Sequence, residues 1–160
     1  YLAVLKIDSG FNAARMNLAQ LYYSQGKTEA TEELYRTVIE REPQASEAHY
    51  SLGLLMAEQA RYEQAALSLE SAATTGNNPR AWYNLAVLNQ QSGKSLEAEK
   101  AYLAALQLMP GNAEFINGLV SLYGQQQRWL KALQLIDRAL VIDPTNPSLQ
   151  QLKRAITQRI

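Results

Sequence analysis

The chain has 160 residues, 47% of them hydrophobic, with 15 Lys and Arg balancing 15 Asp and Glu and no cysteine. Zero net charge argues against a dedicated nucleic-acid binder, and the lack of cysteine excludes disulfides, thiolate metal sites and haem attachment. No run approaches the roughly 18 apolar residues of a membrane span, so no membrane insertion is expected.

In chain order, Tyr1, Val4, Ile7 and Asp8 match the closing half of a helix, and residue 1 is not methionine. Residues 1–11 are therefore expected to end a truncated unit of a longer protein. Apolar residues at helical spacing then predict helices over 13–25, 28–41, 47–59, 62–74, 79–91, 95–108, 113–126 and 129–142. The third pair is the clearest: Trp82, Leu85, Ala86 and Leu88, then Leu96, Ala98, Ala101, Tyr102, Ala105 and Leu108. Pairs close at Glu42-Pro43, Gly76-Asn77, Met109-Pro110 and Asp143-Pro144, spaced by 34, 33 and 34 residues. Asn78-Pro79 and Asn146-Pro147 read as an N-cap with proline at the first helical position. In the tail, Leu149, Leu152, Ile156 and Ile160 form one apolar stripe, which predicts a capping helix over 147–160.

The pairs align column by column. Asn17-Leu18-Ala19 matches Ser51-Leu52-Gly53, Asn84-Leu85-Ala86 and Gly118-Leu119-Val120. Gly26 falls with Ala60, Gly93 and Gln127; Thr31 with Ala65, Ala98 and Ala132; Tyr35 with Leu69, Tyr102 and Ile136; Val38 with Ala72, Ala105 and Ala139. Over nearly its whole length the chain resembles the tetratricopeptide repeat family, a 34-residue helix–turn–helix unit. Arg15, Thr31 and Gly76-Asn77 depart from that pattern in single columns. The resemblance implies an all-α fold: a right-handed superhelical solenoid of antiparallel helix pairs with a C-terminal capping helix. Its repeats would be 12–45, 46–78, 79–112 and 113–146, followed by the cap at 147–160.

Catalytic chemistry finds little support. Ser92-Gly93-Lys94-Ser95 copies the end of a phosphate-binding loop, but Leu88 replaces the glycine required five residues before Gly93. His49 is the only histidine and lacks a second ligand at metal spacing; it shares a column with Trp82, so packing is its expected role. Glu32-Glu33 and Glu97/Glu99 read as solvated helix faces rather than acid/base pairs. No enzyme activity, cofactor or metal is expected of this stretch.

Binding finds more. In the resembled family the first helix of each repeat lines a concave groove, which here implies Met16, Tyr50, Tyr83 and Asn117 in the fifth column. The ninth column adds Gln20, Leu54 and Val87, and the twelfth adds Tyr23. An apolar and aromatic ladder of this kind suits a protein or peptide partner. Asn17 and Asn84 in the sixth column are candidates to bind an extended peptide backbone, although local capping would explain them equally. Of the residues that would form the family's carboxylate clamp (Met16, Gln20, Ser51, Arg80 and Asn84), only Arg80 fits.

Charge is unevenly divided: residues 1–78 carry six bases against ten acids, and residues 79–160 carry nine against five. The expected function is a non-catalytic scaffold that binds a peptide or helix, with Arg80 among its polar contacts. One alternative is a self-association module or homo-oligomer driven by this −4/+4 division. Another is the tail of a larger enzyme, since Glu47-Ala48-His49-Tyr50-Ser51-Leu52-Gly53-Leu54-Leu55 also resembles repeat regions that end some bacterial multihaem cytochromes. The glutamine-rich surface and short loops give a bacterial impression.

Overall fold

Three of the four expected stops place proline directly after the last helical turn, and a residue preceding proline is driven out of the α region. In the computed structural model, which describes residues 11–159, Glu42, Met109 and Asp143 accordingly cap their helices with φ of −130°, −137° and −132°. Where Gly76-Asn77 replaces the proline, the helix runs on to Gly76, two residues beyond the expected 74, and stops at Asn77 in the left-handed region (φ 49°, ψ 39°). The expectations for residues 1–10 and for Ile160 lie outside the described residues.

The described residues form nine helices and no strand: α1 (Asn12–Ser24), α2 (Thr28–Arg41), α3 (Ser46–Glu58), α4 (Tyr62–Gly76), α5 (Pro79–Gln91), α6 (Ser95–Leu108), α7 (Ala113–Gln125), α8 (Trp129–Ile142) and α9 (Pro147–Thr157). Apart from the overrun at Gly76, α1 to α8 follow the sequence expectation to within one residue at each end. Within each pair the first helix ends in the same turn. In the first pair the Lys27 N–H donates to the Tyr22 carbonyl and the Gly26 N–H to the Tyr23 carbonyl, at 3.0 and 2.9 Å. Arg61 and Ala60, and Arg128 and Gln127, repeat this double bond. The residue at the bend must take positive φ, as Gly26, Ala60, Gly93 and Gln127 do at 71°, 59°, 72° and 56°.

The molecule divides into two compact units, one ending at Ala81 and the next beginning at Trp82. In the first unit α1 packs on α2, α2 on α3, and α3 on α4. Small residues set the approach. Thr31 and Ala65 are fully buried, and a Cβ built at Gly53 would lie 2.8 Å from the Leu69 side chain. Buried Thr31 costs no orphaned hydroxyl, because its Oγ1 donates to the Lys27 carbonyl at 2.9 Å. Leu18, Tyr35, Val38, Leu52, Leu55, Met56 and Leu69 fill the space around these contacts.

The second unit repeats the scheme. Ala98 and Ala132 are fully buried in the same column, and Tyr102, Phe115, Ile116, Leu119, Leu122 and Ile136 form the core. Helix α6 packs on α7, α7 on α8, and α9 on α8. Leu149 and Ile156 of α9 are buried, while Lys153 reaches Asp137 at 2.7 Å. The Asn caps form as the sequence predicts: Asn146 Oδ1 accepts from the Leu149 N–H, and Asn78 Oδ1 from the N–H groups of Arg80 and Ala81.

Candidate functional site

Every candidate groove residue lies on a first helix of a pair. On α1, Met16 is half-buried, Asn17 and Gln20 are exposed, and Tyr23 is 48% exposed. On α3, Tyr50 and Leu54 are half-buried. Arg80, near the start of α5, is exposed; Tyr83, Asn84 and Val87 further along it are half-buried. Asn117 on α7 is exposed.

The structure joins two of these residues at one place. Tyr23 and Leu54, together with Tyr35, Ser51, Leu55 and Glu58, line a cavity of about 190 Å³. It lies among α1, α2 and α3, wholly within the first unit. Tyr23 closes one edge by donating its hydroxyl to Glu58 Oε1 at 2.6 Å. That bond favours the protonated phenol and holds the Tyr23 pKa above its ordinary value, with burial and the Glu58 charge adding to it. Tyr35 is buried, which pushes its phenol up as well, and the Glu47 charge adds to this while the Ser51 hydroxyl opposes it.

Glu58 and Tyr35 were not among the expected site residues. Glu58 is four residues after Leu54, so the i, i+4 rule puts both on one helix face, and that spacing could have flagged it. Its column has a counterpart in the second unit. There Gln90 Nε2 donates to Gln125 Oε1 at 3.0 Å, and both rungs join residues 35 apart. Gln90 also accepts from the Tyr102 hydroxyl at 2.7 Å.

Tyr83 is tied into its own unit. Its ring stacks on Phe115 with centroids 4.9 Å apart at 22°, and tilts against Tyr102 at 5.8 Å and 58°. In the next repeat the sixth column holds Gly118, where a Cβ would run into the Tyr102 ring. The asparagine column therefore gives way there to a close helix approach.

Two readings of polar residues need correction. Glu32 and Glu99 are not merely solvated: both are half-buried and held by arginines 29 residues onward. Arg61 donates to both Glu32 oxygens, at 2.7 and 3.2 Å. Arg128 holds both oxygens of Glu99, the Tyr123 hydroxyl donates to it at 2.9 Å, and Lys131 stands 3.6 Å away. Sequence patterning missed these pairs because each joins a helix to a turn 29 residues further along the chain. His49, expected only to pack, places Nε2 3.0 Å from the Pro43 carbonyl and so ties the turn between α2 and α3.

Among the described residues no group of three or more His, Cys, Asp or Glu is placed to hold a metal ion, and no helix is long and apolar enough to cross a membrane.

Comparison with known proteins places this geometry in context. Human protein O-mannosyl-transferase TMTC1 is 31% identical over 139 residues, which are 86% of this chain and 16% of that protein. The chain thus spans well under two thirds of that relative. Among solved structures, MamA is similar with a TM-score of 0.78 at 20% identity, over 92% of this chain and 87% of its own. YrrB, described as a TPR protein with an unusual peptide-binding site, gives 0.78 at 17% identity, over 99% of this chain and 82% of its own. PilF of Pseudomonas aeruginosa gives 0.76 at 21% identity, over 96% of this chain and 71% of its own. At such identities the likeness shows the fold, an all-α tetratricopeptide repeat architecture. Sequence profiles described as tetratricopeptide repeat match residues 16–81 and 89–156, and the chain belongs to that family.

Proposed function

We propose that this stretch is a non-catalytic scaffold whose first-helix faces bind a peptide or helix of another protein. The observation that carries the reading is the cavity beside Tyr23 and Leu54, where an exposed aromatic ring and an aliphatic side chain flank a recess of about 190 Å³. Small-molecule sites run from roughly 300 to 1,000 Å³, so this recess suits one side chain of a longer ligand. Met16, Asn17, Gln20 and Tyr50 would extend that contact along α1 and α3. In the second unit Arg80's neighbours on α5, Tyr83, Asn84 and Val87, would serve with Asn117 on α7. The peptide-binding site named for YrrB is consistent with this use of the fold, and the transferase activity named for the human relative is not carried over.

The testing variant follows from the packing. Replacing Tyr83 would remove a ring stacked on Phe115, at a cost of about 0.5–1.5 kcal/mol of aromatic contact, and so would confuse stability with binding. Tyr23→Ala with Leu54→Ala avoids this problem. We expect the double variant to keep the helical circular dichroism of the parent and to recover partner proteins at least about tenfold less in a quantitative pull-down. Equal recovery by parent and variant would remove the assignment of the first-helix face.

A further inference from the structure

Glu58 is the one charged wall of a recess otherwise built of Tyr23, Tyr35, Ser51, Leu54 and Leu55. One carboxylate oxygen, Oε1, accepts the Tyr23 hydroxyl, and among the described residues Glu58 makes no ion pair. No basic side chain lines the recess. Residues 11–81 carry nine acids against six bases, and two of those bases, Arg36 and Arg61, are already held by Glu32. A cation entering here meets attraction from both the local carboxylate and its surroundings.

Resting on the groove reading above, we propose that the recess lined by Tyr23, Leu54 and Glu58 is a specificity subsite for a lysine side chain of the bound peptide. The tyrosine faces and leucine methyls would cover the four-carbon stem and offer cation–π attraction, and Glu58 would receive the ammonium. Lysine fits better than arginine by its donor count. A guanidinium brings five N–H donors, and Glu58 is the single charged acceptor lining the recess. A compact ammonium needs one acceptor.

The test uses a phage-displayed library of random dodecapeptides, selected in parallel on the immobilised parent chain and on its Glu58→Gln variant. Glutamine keeps an acceptor for the Tyr23 hydroxyl, so the rung should survive. Selected peptides are then measured by fluorescence anisotropy, with the enriched residue replaced by norleucine. We expect the parent to enrich lysine at one position, and norleucine there to weaken binding by about tenfold or more. Against Glu58→Gln that enrichment should vanish, and norleucine should cost little. Selected peptides without a basic position, or a lysine preference unchanged in Glu58→Gln, would overturn the lysine subsite while leaving the groove reading intact. Failure of the folded parent to select any peptide above background would overturn both.

Discussion

Single positions in the bend column show how a repeat tolerates strain. Gly26 and Gly93 take positive φ freely, whereas Ala60 and Gln127 hold the same left-handed conformation with a Cβ, at a cost of order 1 kcal/mol. Ala60→Gly and Gln127→Gly should each raise stability by about 0.5–1 kcal/mol, because relief of strain exceeds the extra chain entropy of the unfolded state. The reverse change, Gly26→Ala, meets open space and should still cost about 1 kcal/mol from backbone strain alone. Urea denaturation of the three variants checks both signs. Gly76 differs, since its hydrogen faces the Ser46 side chain, whose Oγ donates to the Ala72 carbonyl at 2.8 Å. Gly76→Ala should therefore cost about 1–3 kcal/mol through overpacking and loss of that bond, seen as a drop in Tm.

Between elements, the Glu32–Arg61 and Glu99–Arg128 clasps fasten one second helix to the turn of the following pair. The arginine beside each carboxyl holds it below the ordinary value of 4.5. A depressed folded value means that the stabilising effect is fully present above the ordinary carboxylate range and is lost as pH falls through the folded value. The double variant Glu32→Gln/Glu99→Gln should therefore be less stable than the parent at neutral pH, and its stability should change less between about pH 5 and about pH 3. Chemical denaturation across that range measures both. Glu99→Ala should be the more damaging single change, about 1–3 kcal/mol, because it also strands the Tyr123 hydroxyl, which is buried enough to be pushed up to about 12. The helices and their stops were legible in the sequence because they depend on period and on proline. These clasps were not, since a pair 29 residues apart depends on how each helix is rotated about its axis.

Across the whole molecule, the balanced charge total conceals an acidic first half and a basic second half. For a peptide-binding scaffold we expect multi-angle light scattering to report a monomer mass from low to high salt. A mass that rises as salt is lowered would instead support self-association, because surface attraction reaches only about 10 Å at 0.1 M ionic strength. Of the recess, Tyr23 and Leu54 were expected from their columns, while Tyr35, Leu55 and Glu58 were not. Glu58 was outside those columns, and Tyr83, expected as an exposed rung, spends one face on Phe115. By itself the sequence determined the repeat length, the helix pairs, their caps and the columns of small residues. Those follow from local backbone preferences and from the need for alanine or glycine wherever two helices must approach. The tertiary structure alone decided which polar and aromatic side chains meet. Such meetings join residues from separate helices, where rotamer and helix orientation, rather than spacing along the chain, set the distance.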